Sequence, residues 1–300
     1  MRTRLDWWRL QARDLLELVL VPGLAAVLPW PLCFKIFQRL VRWDWFYREA
    51  ATAALHQARE RGWVPADASA QREWGRARRL VTMIDHADFY LARSRSRRWM
   101  QRHLQVRGTW PEAGRAGVLC TFHWGAGMWA LRHAAAHGMQ AHMLVASLQG
   151  AHFAGRPVMH AYAKARTAQI ARELHQPTID TAASLRPVLD ALAEQRQIMA
   201  VVDVPADAVD GSTQVELLND RASVPKGLLR LVVQKKLPLT LFITGIDLKT
   251  GERFIHFKPM GVPTDLQALS QEVFTWLDGY IREQPPAWHF WSEAPRFFRG

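Results

Sequence analysis

From about residue 111 onward, short apolar runs alternate with longer stretches whose apolar positions recur every three or four residues. The short runs predict strands at Val118–Phe122, His142–Ala146, Ile198–Val202, Val215–Leu218, Leu239–Thr244 and Phe254–Phe257. The longer stretches predict helices over Met128–His137, Val158–Leu174, Ala182–Gln195, Lys226–Lys235 and Leu266–Arg282. Strands separated by helices imply an α/β fold, with a mostly parallel central sheet flanked by helices. Residues from about 46 to 105 read as helical. There Trp74, Arg78, Val81, Asp85 and Phe89 fall at helical spacing, and Leu80 and Ile84 widen the apolar stripe.

The first 45 residues follow another pattern. Arg2, Arg4, Arg9 and Arg13 accompany Trp7 and Trp8, and no charge occurs between Glu17 and Lys35. That uncharged run is slightly shorter than the roughly 20 residues of a spanning helix, and Pro22, Pro29 and Pro31 interrupt it. No small-residue cleavage site of the signal-peptide kind follows it. Two readings stand: a helical membrane-associating segment with arginines and tryptophans at the interface, or a buried helical hairpin. Taking the first, the chain divides into a basic, hydrophobic membrane-associating segment at 1–45, a helical region packed on the core at 46–110, and an α/β domain at 111–300.

Composition narrows the partners. The formal net charge is +12, and lysine supplies only seven of the 39 basic residues. An arginine-rich surface suits phosphates and carboxylates, which the guanidinium binds bidentately. Anionic lipid headgroups, an acidic carrier protein and nucleic acid all fit that charge, but no nucleic-acid recognition motif accompanies the densest cluster, Arg93 to Arg98. Cys33 and Cys120 both lie in apolar runs and read as buried small hydrophobes, not as a disulfide framework or a metal set. Asp85-His86-Ala87-Asp88 lacks a third ligand type at a suitable spacing and reads as a helix surface.

The candidate chemistry lies in Val118–Trp129, where a strand ends at His123, a turn follows through Gly125 and Gly127, and a helix begins at Met128. Parallel sheets gather active sites at strand C-terminal ends. The two glycines would let a substrate approach the backbone closely, and a helix N-terminus offers N–H groups to an oxyanion or phosphate. His123 is thus a candidate general base. Cys120 falls three residues before it and points to the opposite face. Asp203 also follows a predicted strand.

This order of features resembles the lysophospholipid acyltransferase superfamily, and within it the lipid A biosynthesis lauroyl/myristoyl acyltransferase branch. The resemblance spans nearly the whole chain. The family's H-x4-D/E block corresponds to His123–Met128, and Arg166 lies where the family has a basic residue on the next long helix. Val202-Asp203 resembles its strand ending in Asp-Gln, and Val215, Leu217, Leu218 and Ala222 resemble V-x-F-F-G-x-P-A. Pro285-Pro286-Ala287-Trp288-His289-Phe290-Trp291, with Arg296-Phe297, resembles its terminal P-E-x-W-x-W…R-R-F block. The chain departs from the pattern at position 128, where methionine replaces the acid.

The resemblance implies an O-acyltransferase on the cytoplasmic face of a bacterial inner membrane. It would move an acyl group from an acyl-carrier-protein or CoA thioester to a lipid hydroxyl, with no cofactor and no metal. His123 would be the general base. Asp203 is the first candidate for the missing acid, and Glu216 the second. Gly125, Gly127, Met128, Trp129 and Arg166 are the candidate substrate-binding residues. Met128 and Trp129 read either as the wall of an acyl-chain pocket or as ordinary core. The loss of the acid also admits an alternative, a degenerate protein of the same fold that binds lipid or carrier without turnover. On that reading, Met128→Glu is the substitution that would restore activity.

Overall fold

The structure is a computed structural model that describes residues 4–150, 153–180, 184–208 and 211–298. Arg2 and the first two residues of the predicted helix at Ala182–Gln195 lie outside the described residues. Helix α1 (Arg4–Leu15) runs through one π turn (Leu16–Leu20) into α2 (Val21–Val27) and α3 (Trp30–Leu40). Next come α4 (Arg48–Glu60), the 27-residue α5 (Ala68–Ser94) and the short α6 (Arg97–Arg102). From there strands and helices alternate: β1 (Leu104–Arg107), β2 (Gly117–Thr121), α7 (Met128–Ala136), β3 (Ala141–Val145), α8 (Pro157–Leu174), β4 (Ile179–Asp180), α9 (Arg186–Ala193) and β5 (Gln197–Val201). A hairpin of β6 (Ser212–Leu217) and β7 (Asp220–Pro225) precedes α10 (Gly227–Gln234), β8 (Leu239–Ile246), β9 (Arg253–Gly261), α11 (Leu266–Glu283) and, after two 3-10 turns, α12 (Ala294–Phe297).

Seven strands form one sheet in the order β1-β9-β8-β2-β5-β3-β4. Strands β8, β2, β5, β3 and β4 are parallel, while β9 turns back antiparallel on β8 and carries β1 alongside it. The fold is α/β with a mostly parallel sheet and flanking helices. Side-chain alternation sorts the core into two layers. Val118, Cys120, Ile198, Ala200, Leu239 and Leu241 pack with Val188 of α9, Val232 of α10 and Val273 and Leu277 of α11. Leu119, Met199 and Phe242 face the other way, toward Leu131 of α7 and Leu174 of α8. A third cluster joins α3, α5 and Trp129 of α7.

Two expectations are corrected. The run Val215–Leu218 does not enter the main sheet; it belongs to the separate antiparallel pair β6–β7. Leu218 and Asn219 turn that hairpin at positive φ, 56° and 65°. Leucine gives no hint of such a turn, but the N–H of Leu218 is held by Asp278 Oδ1 at 2.7 Å. The Asp85–Asp88 stretch is not a solvated surface, since Asp88 is wholly buried and ion-paired to Arg253. Within the uncharged N-terminal run, α2 ends at Val27 and Pro29 leads into a new helix at Trp30. Among the described residues, no helix is long and apolar enough to cross a membrane.

Candidate active site

Strand β2 leads by α7 to β3 on one side of the sheet, while β5 leads by way of the hairpin to β8 on the other. The two strands are neighbours, so their C-terminal ends form the topological switch point where α/β sheets open a crevice. His123 lies just past β2 and Asp203 just past β5. The Asp203 carboxylate is fully buried, whereas the His123 side chain is 36% exposed. Asp203 Oδ1 accepts the backbone N–H of His123 at 2.7 Å and lies 3.1 Å from its Nδ1. A carboxylate is acceptor-only, so Nδ1 carries the proton and donates, and the lone pair is on Nε2. The Phe290 ring meets the imidazole edge-on, with centroids 4.4 Å apart.

The terminal segment brings the rest. Trp288 Nε1–H donates to Asp203 Oδ2 at 3.0 Å. The N–H of His289 donates to the carbonyl of His123 at 2.7 Å, and Gly125 N–H donates to the carbonyl of Ala287 at 3.0 Å. Buried Arg78 donates to His289 Nδ1 at 3.1 Å and to the carbonyl of Pro286 at 3.1 Å. His289 therefore carries its proton on Nε2, which donates to the carbonyl of Gly125 at 2.7 Å. Burial, reinforced by Arg78, pushes His289 down to about 3. Burial likewise pushes His86 down to about 4, against the pull of Asp85. Both rings are neutral at physiological pH and already hydrogen-bonded.

Arg166 is partly exposed on α8. Its guanidinium donates to Asp85 Oδ1 at 2.7 Å and to the Tyr162 hydroxyl at 3.4 Å. Burial would raise Asp85, but Arg166, by its charge and hydrogen bond, holds the carboxylate below its usual range, joined in acid by His289 and His86 once they are protonated. Arg166, Asp85 and Arg78 thus form a charged row that ends at the neutral His289 ring beside the His123 turn.

The other predicted site residues fall elsewhere. Gly125 is buried at φ +69°, and a Cβ there would sit 2.3 Å from the Thr244 carbonyl oxygen. It is required for close packing on the end of β8, not for access by a substrate. Gly127 is exposed and caps α7 without crowding. Met128, 3% exposed, packs into the layer with Leu119 and Phe242. Trp129 is equally buried and lies under the Arg253 guanidinium at 4.2 Å, with Trp30 on the other side at 4.1 Å. The cavity that Met128 and Trp129 border is about 10 Å³, room for one water and no acyl chain. Glu216 is exposed on β6 with its backbone tied to Gln271, and it is not brought to His123.

Since position 128 faces the core, Met128→Glu buries a carboxyl with no partner and does not rebuild a dyad. The expected result is a loss of about 1–3 kcal/mol even for the protonated acid and no gain in turnover. Denaturant melts with parallel activity assays check both. Among the described residues, no group of three or more His, Cys, Asp or Glu side chains is arranged to hold a metal. No model of a known protein family matches this chain, and no curated protein does.

Sequence reasoning missed Trp288, His289, Phe290, Arg78 and Asp85 as parts of the site. The usable signal was the Pro-Pro-Ala-Trp-His-Phe-Trp run itself, since Trp and His so close together, set off by prolines, mark a fixed aromatic segment and not a tail.

Proposed function

We propose that the protein is a membrane-associated O-acyltransferase of the lysophospholipid acyltransferase kind. It takes an acyl group from an acyl-carrier-protein or CoA thioester and passes it to a lipid hydroxyl at the cytoplasmic face of a bacterial inner membrane. The observation that carries the reading is the half-open imidazole of His123, held at Nδ1 by a buried carboxylate. Nε2 removes the acceptor hydroxyl proton as the oxygen attacks the thioester carbonyl. The tetrahedral intermediate then collapses, the C–S bond breaks, and the leaving thiolate takes the proton back from the imidazolium. Asp203 orients the ring and stabilises its charged form. The binding-only alternative rests on Met128, and the carboxylate beside His123 counts against it. The experiment supplies detergent-purified protein with acyl-carrier-protein and CoA thioesters and a panel of lipid hydroxyl acceptors. Thiol release coupled to acylated product supports the reading; binding without either product rejects it.

The N-terminal helices support the membrane half of the proposal. On α1 and the π turn the buried positions are Gln11, Asp14 and Glu17. Asp14 pairs with Arg156 at 2.5 Å, and Glu17 accepts the N–H of Tyr47 at 2.6 Å. The exposed positions include Leu5, Trp8, Leu15 and Leu20, with Arg4, Asp6 and Arg9 among them. Val27, Leu32, Trp43 and Trp45 are exposed as well. A groove of about 460 Å³ between Ile36, Leu40 and Trp43 is flanked by Arg39 and Arg42. A helix whose buried side is polar and whose exposed side carries leucine and tryptophan beside arginine is suited to an interface with anionic headgroups. With phosphatidylglycerol vesicles, Trp8→Glu combined with Trp43→Glu is expected to lower partitioning by at least about tenfold, the scale of losing one or two inserted side chains. Co-sedimentation measures this, and unchanged partitioning would remove the membrane from the proposal.

A further inference from the structure

We infer that Trp288 is a positioning residue for His123, acting through Asp203; the inference rests on His123 being the base of the proposed transfer. Position 128, on the helix that follows the histidine, holds no acid, so the support for the base must come from elsewhere in the chain. It comes from two places 85 residues apart in sequence. Asp203 Oδ1 is committed to the His123 turn, through the backbone N–H and the ring. Oδ2 is turned toward the indole N–H of Trp288. The carboxylate is wholly buried, so water does not replace that donor.

A carboxylate pinned at one oxygen only can rotate about its last bond. Pinned at both, it keeps its plane and presents Oδ1 to Nδ1. The indole is itself immobile. It is fully buried, with Trp291 and Phe297 rings at 5.2 and 5.5 Å. Its backbone pairs with Trp124, the residue after the base. Its neighbours on either side, Ala287 and His289, hold the carbonyl of His123 and both backbone groups of Gly125. One short segment thus holds the histidine by its main chain and the aspartate by a side chain. It fixes their separation from both sides.

Trp288→Phe removes the N–H and keeps an aromatic ring. Trp288→benzothienylalanine, with sulfur in place of the N–H, keeps the bicyclic shape and serves where phenylalanine does not fold. Two readouts apply to each folded variant. In acyl transfer, kcat is expected to fall about 10–100-fold with KM within about twofold. In proton NMR, the downfield Nδ1–H resonance of His123, assigned by its absence in His123→Ala, is expected to move upfield. A packing role alone would lower the melting temperature and leave that resonance in place. An unmoved resonance in a folded variant overturns the inference, whatever the activity. A moved resonance in a protein that transfers no acyl group to any acceptor overturns the enzymatic reading and leaves the positioning role standing.

Discussion

Alanine at position 123 is expected to lower the proposed acyl transfer by about two to four orders of magnitude, the usual share of a positioned general base, and to leave the fold in place. The two halves of that expectation have separate causes. The imidazole is half open, and its Nε2 is the lone pair that faces outward from the Asp203 contact. No other histidine near the turn can replace it: His289 is held neutral between Arg78 and the Gly125 carbonyl, and His86 donates to or accepts from the Tyr162 hydroxyl at 2.9 Å. The fold survives because the substitution strands no buried charge. Asp203 Oδ1 keeps the backbone N–H of residue 123, and Oδ2 keeps the Trp288 indole. Single-turnover thiol release measures the loss, and a melting temperature within a few degrees of wild type separates it from unfolding. Equal transfer by both proteins would take His123 out of the mechanism.

The parts of this site that were legible in the sequence are those fixed by local pattern. An apolar run ending at His123 and another ending at Asp203 each predict a strand. The rule that parallel strands share a C-terminal edge then brings the two ends near each other. Strand order does not follow from such runs, so sequence alone left Glu216 as a rival, although the hairpin carries it to an exposed position. The contacts of Trp288 and His289 are of another kind. They join residues more than 80 positions apart by single side-chain bonds, and periodicity carries no information on these. Asp85 and His86 sat on a helix whose partner, α8, was identified only as an element, so their inward face was unreadable. The N-terminal helix left two readings open for a physical reason: with Gln11, Asp14 and Glu17 inside and Leu5, Trp8, Leu15 and Leu20 exposed, its apolar positions do not mark its buried face. Met128 shows the limit of alignment to a motif. The position matched the family's acid in number, but its side chain points into the core.

Asn in place of Asp203 is expected to cost as much as loss of the base, up to about four orders of magnitude, the size of the same swap at the orienting aspartate of serine proteases. The partners of Asp203 explain why so small a change is so large in effect. All three are donors: the backbone N–H of His123, its Nδ1–H, and the indole N–H of Trp288. An ionised carboxylate satisfies all of them. An amide has one acceptor oxygen. If that oxygen stays on the His123 side, the NH2 group faces the indole N–H, donor to donor, in a site closed to water. If the amide turns, the NH2 group faces the histidine. It then collides with the backbone N–H and forces Nδ1 to become the acceptor, which moves the ring proton to Nε2. The base then has no lone pair where the hydroxyl arrives. Either arrangement leaves a buried donor unpaired, at about 1–3 kcal/mol of stability, and the second removes the chemistry as well. Denaturant melts and single-turnover transfer across the neutral range therefore move together in Asp203→Asn, whereas in His123→Ala only transfer moves. Activity within tenfold of wild type in a folded Asp203→Asn protein would mean that the carboxylate does not orient the base, and that the 3.1 Å contact is packing alone.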